Sequence, residues 1–247
     1  MYLVLCSPFD AAAIWAFEGL RAAGLADVEL LTSERLAVTM NWEHRLGRDG
    51  VRTSFTLSDG RIVRDDKIGG VLNRLVAPPE QLLACASADD RDYALQELTA
   101  LHLSWLHALP CPVLNRPTPQ GLSGRWRLTS EWLVLAHDVG LSAQLFRQGG
   151  DSSPDASYHS LAPVSATVVQ TIVLDGEVFG AVLPAPVREA CAAFARAAET
   201  ALLGIDLFAG DKGEWCFAHA TPMPDLMTGG EALLDRIVQL FLAGGVR

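Results

Sequence analysis

Lysine is almost missing from this chain: of its 19 basic residues only Lys67 and Lys212 are lysines, and the rest are arginines. Basic charge as a whole is short, since the formal net charge is -10 and the isoelectric point lies near 5.0. That balance excludes a nucleic-acid footprint, which needs a basic stripe to neutralise phosphates. Uninterrupted apolar runs of about 18 residues are absent, and Met1–Asp10 lacks the basic start of a signal peptide, so a cytoplasmic protein without membrane association is expected. The five cysteines, Cys6, Cys85, Cys111, Cys191 and Cys216, are scattered and never in C-x-x-C spacing, which suggests neither a disulfide framework nor a zinc site. No G-x-S-x-G, Walker or G-x-G-x-x-G sequence occurs, so hydrolase, P-loop and dinucleotide readings lack support.

What is present begins as an alternating pattern. Tyr2–Cys6 reads as a buried strand, Ala11–Ala23 as a helix stopped by Gly24, and Val28–Leu31 as a second strand, which makes one βαβ unit. Thr39–Leu46 and Val51–Leu57 read as a hairpin, and Ser58-Asp59-Gly60 turns into Arg61–Val63. A long helix over Asp89–Leu109 carries an apolar stripe of Leu95, Leu98, Leu101, Trp105 and Leu109. The tetrapeptide Val-Leu-Asn-Arg occurs twice, at 71–74 and 113–116. Ligands of open parallel sheets bind at the carboxyl ends of strands, so Asn73, Arg74, Asn115 and Arg116 are candidates for one crevice. Turn capping and carboxylate pairing are the plainer roles for the same four residues, and the preferred ones.

The second half reads as a helix from Ser123 to Val139 closed by Gly140, and a strand over Leu141–Gln148. A polar stretch over Gly149–Pro163 follows, then two strands joined at Asp175-Gly176 as a type I′ turn. Pro186–Leu203 reads as an alanine-rich helix with Ala190, Phe194, Ala197, Ala198 and Leu202 on its apolar face. Strands at Ile205–Phe208 and Trp215–Phe217 come next. A last amphipathic helix over Glu231–Leu242 turns Leu234, Ile237, Val238 and Phe241 inward.

Gly204-Ile205-Asp206-Leu207 followed by Glu214–Leu226 resembles the closing metal-site segment of ATP-grasp ligases of the peptide, or carboxylate-amine, branch. Relatives there read G-x-D-hydrophobic and then E-V-N-P-x-P, with the Asp, Glu and Asn holding the magnesium ions of ATP. Here Asp206 is kept, His219 stands for the Glu and Thr221 for the Asn. Val113-Leu114-Asn115-Arg116-Pro117 resembles the V-L-N-x-P strand closing the pre-grasp domain, and Arg125 falls where many relatives have a lysine. Val168–Ala181 is similar to D-x-R-V-x-V-V-D-G-E-V-x-A-A, with Gln170 in the place of the arginine that serves the γ-phosphate. No lysine lies between Lys67 and Lys212, and Gly149–Pro163 is too short for the nucleotide lid.

The resemblance therefore implies a degenerate, truncated ATP-grasp chain of α/β class. A Rossmann-like pre-ATP-grasp domain over 1–117 would precede a reduced ATP-grasp α+β domain over 118–247. Magnesium takes oxygen ligands, mainly carboxylates and phosphates, and an imidazole and a hydroxyl are a poor exchange. The expected function is a binding or partner module that has lost ligase activity and holds no cofactor, acting on a peptide substrate or beside a partner ligase, with homodimers plausible. The alternatives are an active carboxylate-amine ligase using ATP and magnesium, and different chemistry at a rebuilt Asp206/His219 site. In the preferred reading those two share a residual hydrogen bond, and Pro222-Met223-Pro224 directs Asp225 into the next turn. His102 and His107 are five apart and not a zinc pair, and Cys6 is read as structural.

Overall fold

The computed structural model describes residues 1–48, 50–80, 83–143, 167–210 and 213–244. Two compact units result: Met1–Arg125 together with Gly230–Arg247, and Trp126–Gly229.

In the first unit, β1 (Tyr2–Cys6) pairs in parallel with β2 (Val28–Thr32) on one side and β6 (Gly70–Asn73) on the other, and β7 (Val113–Leu114) completes the order β2-β1-β6-β7. Leu3, Val4, Leu5 and Cys6 are all fully buried, as a strand covered on both faces requires. The intervening helix α1 (Ala11–Ala22) starts where Asp10 accepts the Ala13 N–H at 3.0 Å. It stops as expected at Gly24, whose φ of 104° lets the Leu25 N–H reach the Leu20 carbonyl and its own N–H reach that of Arg21.

A short helix α2 (Ser33–Ala37) leads into a separate antiparallel sheet of β3 (Met40–Gly47), β4 (Gly50–Thr56) and β5 (Ile62–Arg64). Its inner face sets Phe55 against Trp42, with ring centroids 4.3 Å apart, and edge-on to Trp105 of α3 (Ala88–Ala108) at 5.4 Å. Helix α3 buries only the carboxyl end of the expected stripe, Trp105 with Leu109 just beyond the helix. His102, Trp105 and Leu106 are inside, while Leu95, Leu98 and Leu101 are only half-buried, because the core reaches only the helix's carboxyl half.

The last helix, α6 (Gly230–Leu242), belongs to this first unit, although its sequence position had placed it with the second. Tyr2 stacks on Phe241 at 5.7 Å, and a side chain at Gly70 would strike the Phe241 ring at 2.5 Å. The buried residues of α6 are Leu233, Leu234, Ile237 and Phe241; Val238 is only half-buried.

The second unit is an antiparallel sheet in the order β11-β10-β8-β9, built from β8 (Thr167–Leu174), β9 (Glu177–Gly180), β10 (Leu202–Ala209) and β11 (Trp215–Thr221). Helices α4 (Thr129–Asp138) and α5 (Ala185–Ala197) contribute Trp132 and Phe194 to a core with Val173, Leu203, Ile205, Leu207 and Phe217. Asp175 and Gly176 both have positive φ, 51° and 81°, which is the type I′ turn expected.

Two expectations are corrected. Helix α4 begins at Thr129 rather than Ser123, because Gly124 has a φ of 113° and Thr118 and Gly121 bridge in a turn before it. The Glu131 carboxylate accepts the Leu128 N–H at 2.7 Å to open the helix. Helix α5 ends at Ala197 instead of Leu203: Glu199 takes a φ of 53°, and the Thr200 and Glu199 N–H groups bond the Ala195 and Arg196 carbonyls. Leu202 and Leu203 thus enter β10, and Ala197 is exposed. Of the strand expected over Leu141–Gln148, Ser142 and Ala143 lie beside Phe217, with the Ser142 carbonyl accepting the Phe217 N–H at 2.6 Å. Gln144–Gln148, Gly149–Pro163 and Lys212 lie outside the described residues.

Candidate functional site

In the second unit, strand pairing sets Gln170 of β8 directly opposite Asp206 of β10, and Asp206 opposite His219 of β11. Thr221 lies opposite Gly204 in the same ladder. Side chains alternate along a strand, so with Leu203, Ile205 and Leu207 in the core, Gly204 and Asp206 face the other way. His219 reaches that outer face through a β-bulge. Asp206 pairs with His219 but Leu207 pairs with Phe217, which leaves Ala218 as an extra residue. Without it, Phe217 and His219 would share a face; with it, Phe217 is core and His219 stands half-exposed in the row.

His219 Nδ1 lies 3.9 Å from Asp206 Oδ2. That is close enough for attraction if the imidazole is protonated but too long for the residual hydrogen bond expected. Thr221 Oγ1 accepts the Met223 N–H at 3.1 Å, and the following loop rests on Gly204, where an added Cβ would meet Pro224 at 2.8 Å. Asp225 turns away from the row and accepts the Met227 N–H at 3.1 Å in the next turn.

A magnesium–nucleotide group does not fit this row. One carboxylate, an amide, an imidazole and a hydroxyl already engaged by the backbone are a weak donor set for a hard cation. Among the described residues, no group of three or more His, Cys, Asp or Glu side chains comes together to hold a metal. The described residues of this unit include no lysine, and the Arg127 guanidinium lies over the Trp132 ring at 5.0 Å.

In the first unit the two Val-Leu-Asn-Arg segments lie side by side. Val71 pairs with Val113 and Leu72 with Leu114, which brings the Asn73-Arg74 and Asn115-Arg116 ends together at the sheet's carboxyl edge. Asn73, Arg74 and Asn115 are buried there. The Asn73 amide donates to the Asn115 carbonyl at 2.8 Å and the Leu122 carbonyl at 2.6 Å, and its oxygen accepts the Leu75 N–H. Arg74 closes on Asp10. Arg116 donates to the carbonyls of Leu106, His107, Leu109 and Cys111 at 2.8–3.2 Å and so caps the end of α3. The Asn73, Arg74 and Arg116 side chains each have a partner within the protein.

Arg125 follows Gly124 in the turn before α4 and is not on the helix start expected for it. Burial, with the Asp10 carboxylate adding to it, pushes the Cys6 thiol up to about 12, which removes it as a nucleophile. His107 is exposed and His102 buried. Sequence reading overlooked Asp10, although an aspartate between a strand and a helix is a recognisable N-cap.

No protein-family model matches the sequence, and no curated protein matches it. Solved structures do. The fold is similar to that of the macrocyclase MdnC bound with precursor peptide MdnA from Microcystis aeruginosa, with a TM-score of 0.80 at 10% identity over 98% of this chain and 99% of that one. A RiPP-associated ATP-grasp ligase of Chryseobacterium gregarium, in complex with ADP and a leader and core peptide, gives 0.75 at 10% identity, covering 100% and 97% of the two chains. The ATP-grasp ligase PsnB, complexed with minimal precursor, magnesium and ADP, gives 0.68 at 17% identity over 98% and 97%. The chain therefore has the α/β fold of ATP-grasp ligases, as the motif resemblance implied.

Proposed function

We propose that this chain is a peptide-binding module on an ATP-grasp scaffold that does not carry out ATP-dependent ligation. The observation that carries this reading is the Gln170–Asp206–His219 row. Phosphoryl transfer depends on metal ions and cationic side chains that neutralise charge as it develops. At this row an amide, a lone carboxylate and an imidazole stand where the resemblance implies an arginine and two metal ligands. Peptide as the ligand class is supported by the fold-similar proteins whose structures contain precursor, leader or core peptides.

Calorimetric titrations of the full chain test the reading. ATP with magnesium is expected to give no binding up to millimolar nucleotide, and among precursor peptides of the kind present in the fold-similar structures, titrated in turn, at least one is expected to bind. Tight magnesium-dependent ATP binding would overturn the loss of ligation and restore the active carboxylate-amine ligase. Failure of every such peptide to bind would overturn the peptide assignment.

A further inference from the structure

Strand β3 is the longest strand of the first unit, and it lies at the edge of its sheet. One side pairs with β4, and among the described residues no strand pairs with the other side. A free edge of this kind is a template for a further strand. The opposite edge of the same sheet is β5, which has only three residues.

The two faces of β3 differ. Trp42 stacks on Phe55, and His44 hydrogen-bonds the Thr53 and Ser104 hydroxyls at 2.8 Å each, so these two side chains turn inward. Glu43 and Arg45 alternate to the outer face. There the Arg45 guanidinium lies 2.5 Å from the Glu43 carboxylate, and both side chains are mostly exposed. Across the ladder on β4, Arg45 has Arg52 directly opposite it, a like charge, and Glu43 has Ser54. Like charges in that position repel. The free edge is therefore the side on which Arg45 lacks an opposing carboxylate and Glu43 an opposing cation.

Residues directly opposite in an antiparallel pair present their backbone groups alike, so two copies of one strand pair about a two-fold axis that passes through a residue. With the axis at His44, Glu43 faces Arg45 of the second copy, and Arg45 faces its Glu43. The adjacent registers, with the axis at Glu43 or Arg45, set that charge against itself. The His44 register also places Leu46, an apolar side chain left 71% exposed, opposite Trp42 of the second copy. Regular pairing is broken before this stretch, because Asn41 has a φ of 54° and the register shifts between Met40 and Glu43. What remains usable, Trp42–Leu46, is centred on His44.

We infer that β3 pairs antiparallel with β3 of a second copy of this chain about a two-fold axis at His44, which joins two three-stranded sheets edge to edge. An extended peptide would meet the same backbone edge, but a second copy brings both charges in matching order, and this selects it. Pairing of this kind is closed, since each copy uses its one long free edge in that sheet and leaves only the short β5 outermost. It does not depend on the peptide-binding reading.

The test is sedimentation equilibrium of the full chain in reductant, which keeps the exposed Cys85 from linking copies. The unaltered chain should be dimeric by about 100 μM, at the weak end of specific association. Glu43→Arg and Arg45→Glu each reverse one exposed charge, and each should weaken the dimer about tenfold or more, because like charges then stand opposite one another twice. Mixed in equal amounts, the two variants should pair with each other at least as well as the unaltered chain pairs with itself. The double variant Glu43→Arg/Arg45→Glu should dimerise again. A chain that stays monomeric at about 100 μM would overturn the inference without any variant being made. A dimer that either single reversal leaves intact, or a mixture that does not pair, would overturn it as well. Protection of the β3 amides by a precursor peptide added to a monomeric chain would assign the edge to the peptide instead. Failure of the peptide or nucleotide titrations bears on the proposed function and leaves this pairing untouched.

Discussion

The Arg74 guanidinium forks onto the Asp10 carboxylate, Nε to Oδ2 at 2.7 Å and Nη2 to Oδ1 at 3.2 Å, while Asp10 also accepts the N–H that opens α1. Both side chains are nearly buried, at 5% and 11% exposure. One contact thus joins the carboxyl end of β6 to the first turn of the helix after β1.

Removing one partner strands the other's charge in a poorly solvated place. Arg74→Leu is expected to destabilise the first unit by about 3–5 kcal/mol. Asp10→Asn keeps a capping oxygen, and Asp10→Asn combined with Arg74→Leu should recover part of the loss. Urea unfolding followed by amide exchange in β1 and α1 checks this, and a loss below about 1 kcal/mol for Arg74→Leu would contradict the pairing.

Arg116 holds the last carbonyls of α3 with a planar fork that a lysine cannot reproduce. Arg116→Ala should cost about 2 kcal/mol, and Arg116→Lys should recover less than half of it. Faster amide exchange in the final turn of α3 should accompany both.

Glu199 occupies the left-handed region at the end of α5, where glycine carries no Cβ penalty. Glu199→Gly is expected to stabilise the second unit by about 0.5–1 kcal/mol. A thermal shift measures it, and an unchanged or lowered midpoint would show that the Glu199 side chain contributes more than its backbone costs.

The thiols give a chemical map and a pH profile. Cys85 is exposed and should react first with iodoacetamide at pH 8, Cys216 more slowly, and Cys6, Cys111 and Cys191 not at all in the folded chain. Burial pushes Cys6 and Cys191 up to about 12 from an ordinary 9.0. The folded state therefore favours their neutral form, and the stability this gives is complete below pH 9 and lost as pH rises towards 12. His102 acts in the opposite direction. Its lowered pKa contributes stability above about pH 6.5 that is lost as pH falls through the folded value. Denaturation midpoints across pH should form a plateau between these limits, and His102→Asn should flatten the acid side.

What sequence carried here was local. The run Tyr2–Cys6, the stop at Gly24 and the turn at Asp175-Gly176 each rest on residues whose backbone preferences are strong, and each is found in place. The end of α5 was hidden because a glutamate does what glycine usually signals. The Gln170–Asp206–His219 row depends on strand register and on an inserted Ala218, neither of which a spacing within one strand reveals. The Asn-Arg pairs could be placed at one sheet edge from the repeat, but not their partners, since Asp10 and the α3 carbonyls come from distant sequence. The amphipathic pattern of α6 was readable, but not the surface it covers.

That last helix has a consequence for how the chain is made. Translation delivers Gly230–Leu242 after the entire second unit, yet Phe241 closes against Tyr2 and Gly70 at the start of the first. The second unit, contiguous in sequence, can fold as it leaves the ribosome, while the first must wait with an uncovered apolar sheet face until Gly230–Leu242 has been made. Of the two units, the one begun earlier is the one completed later.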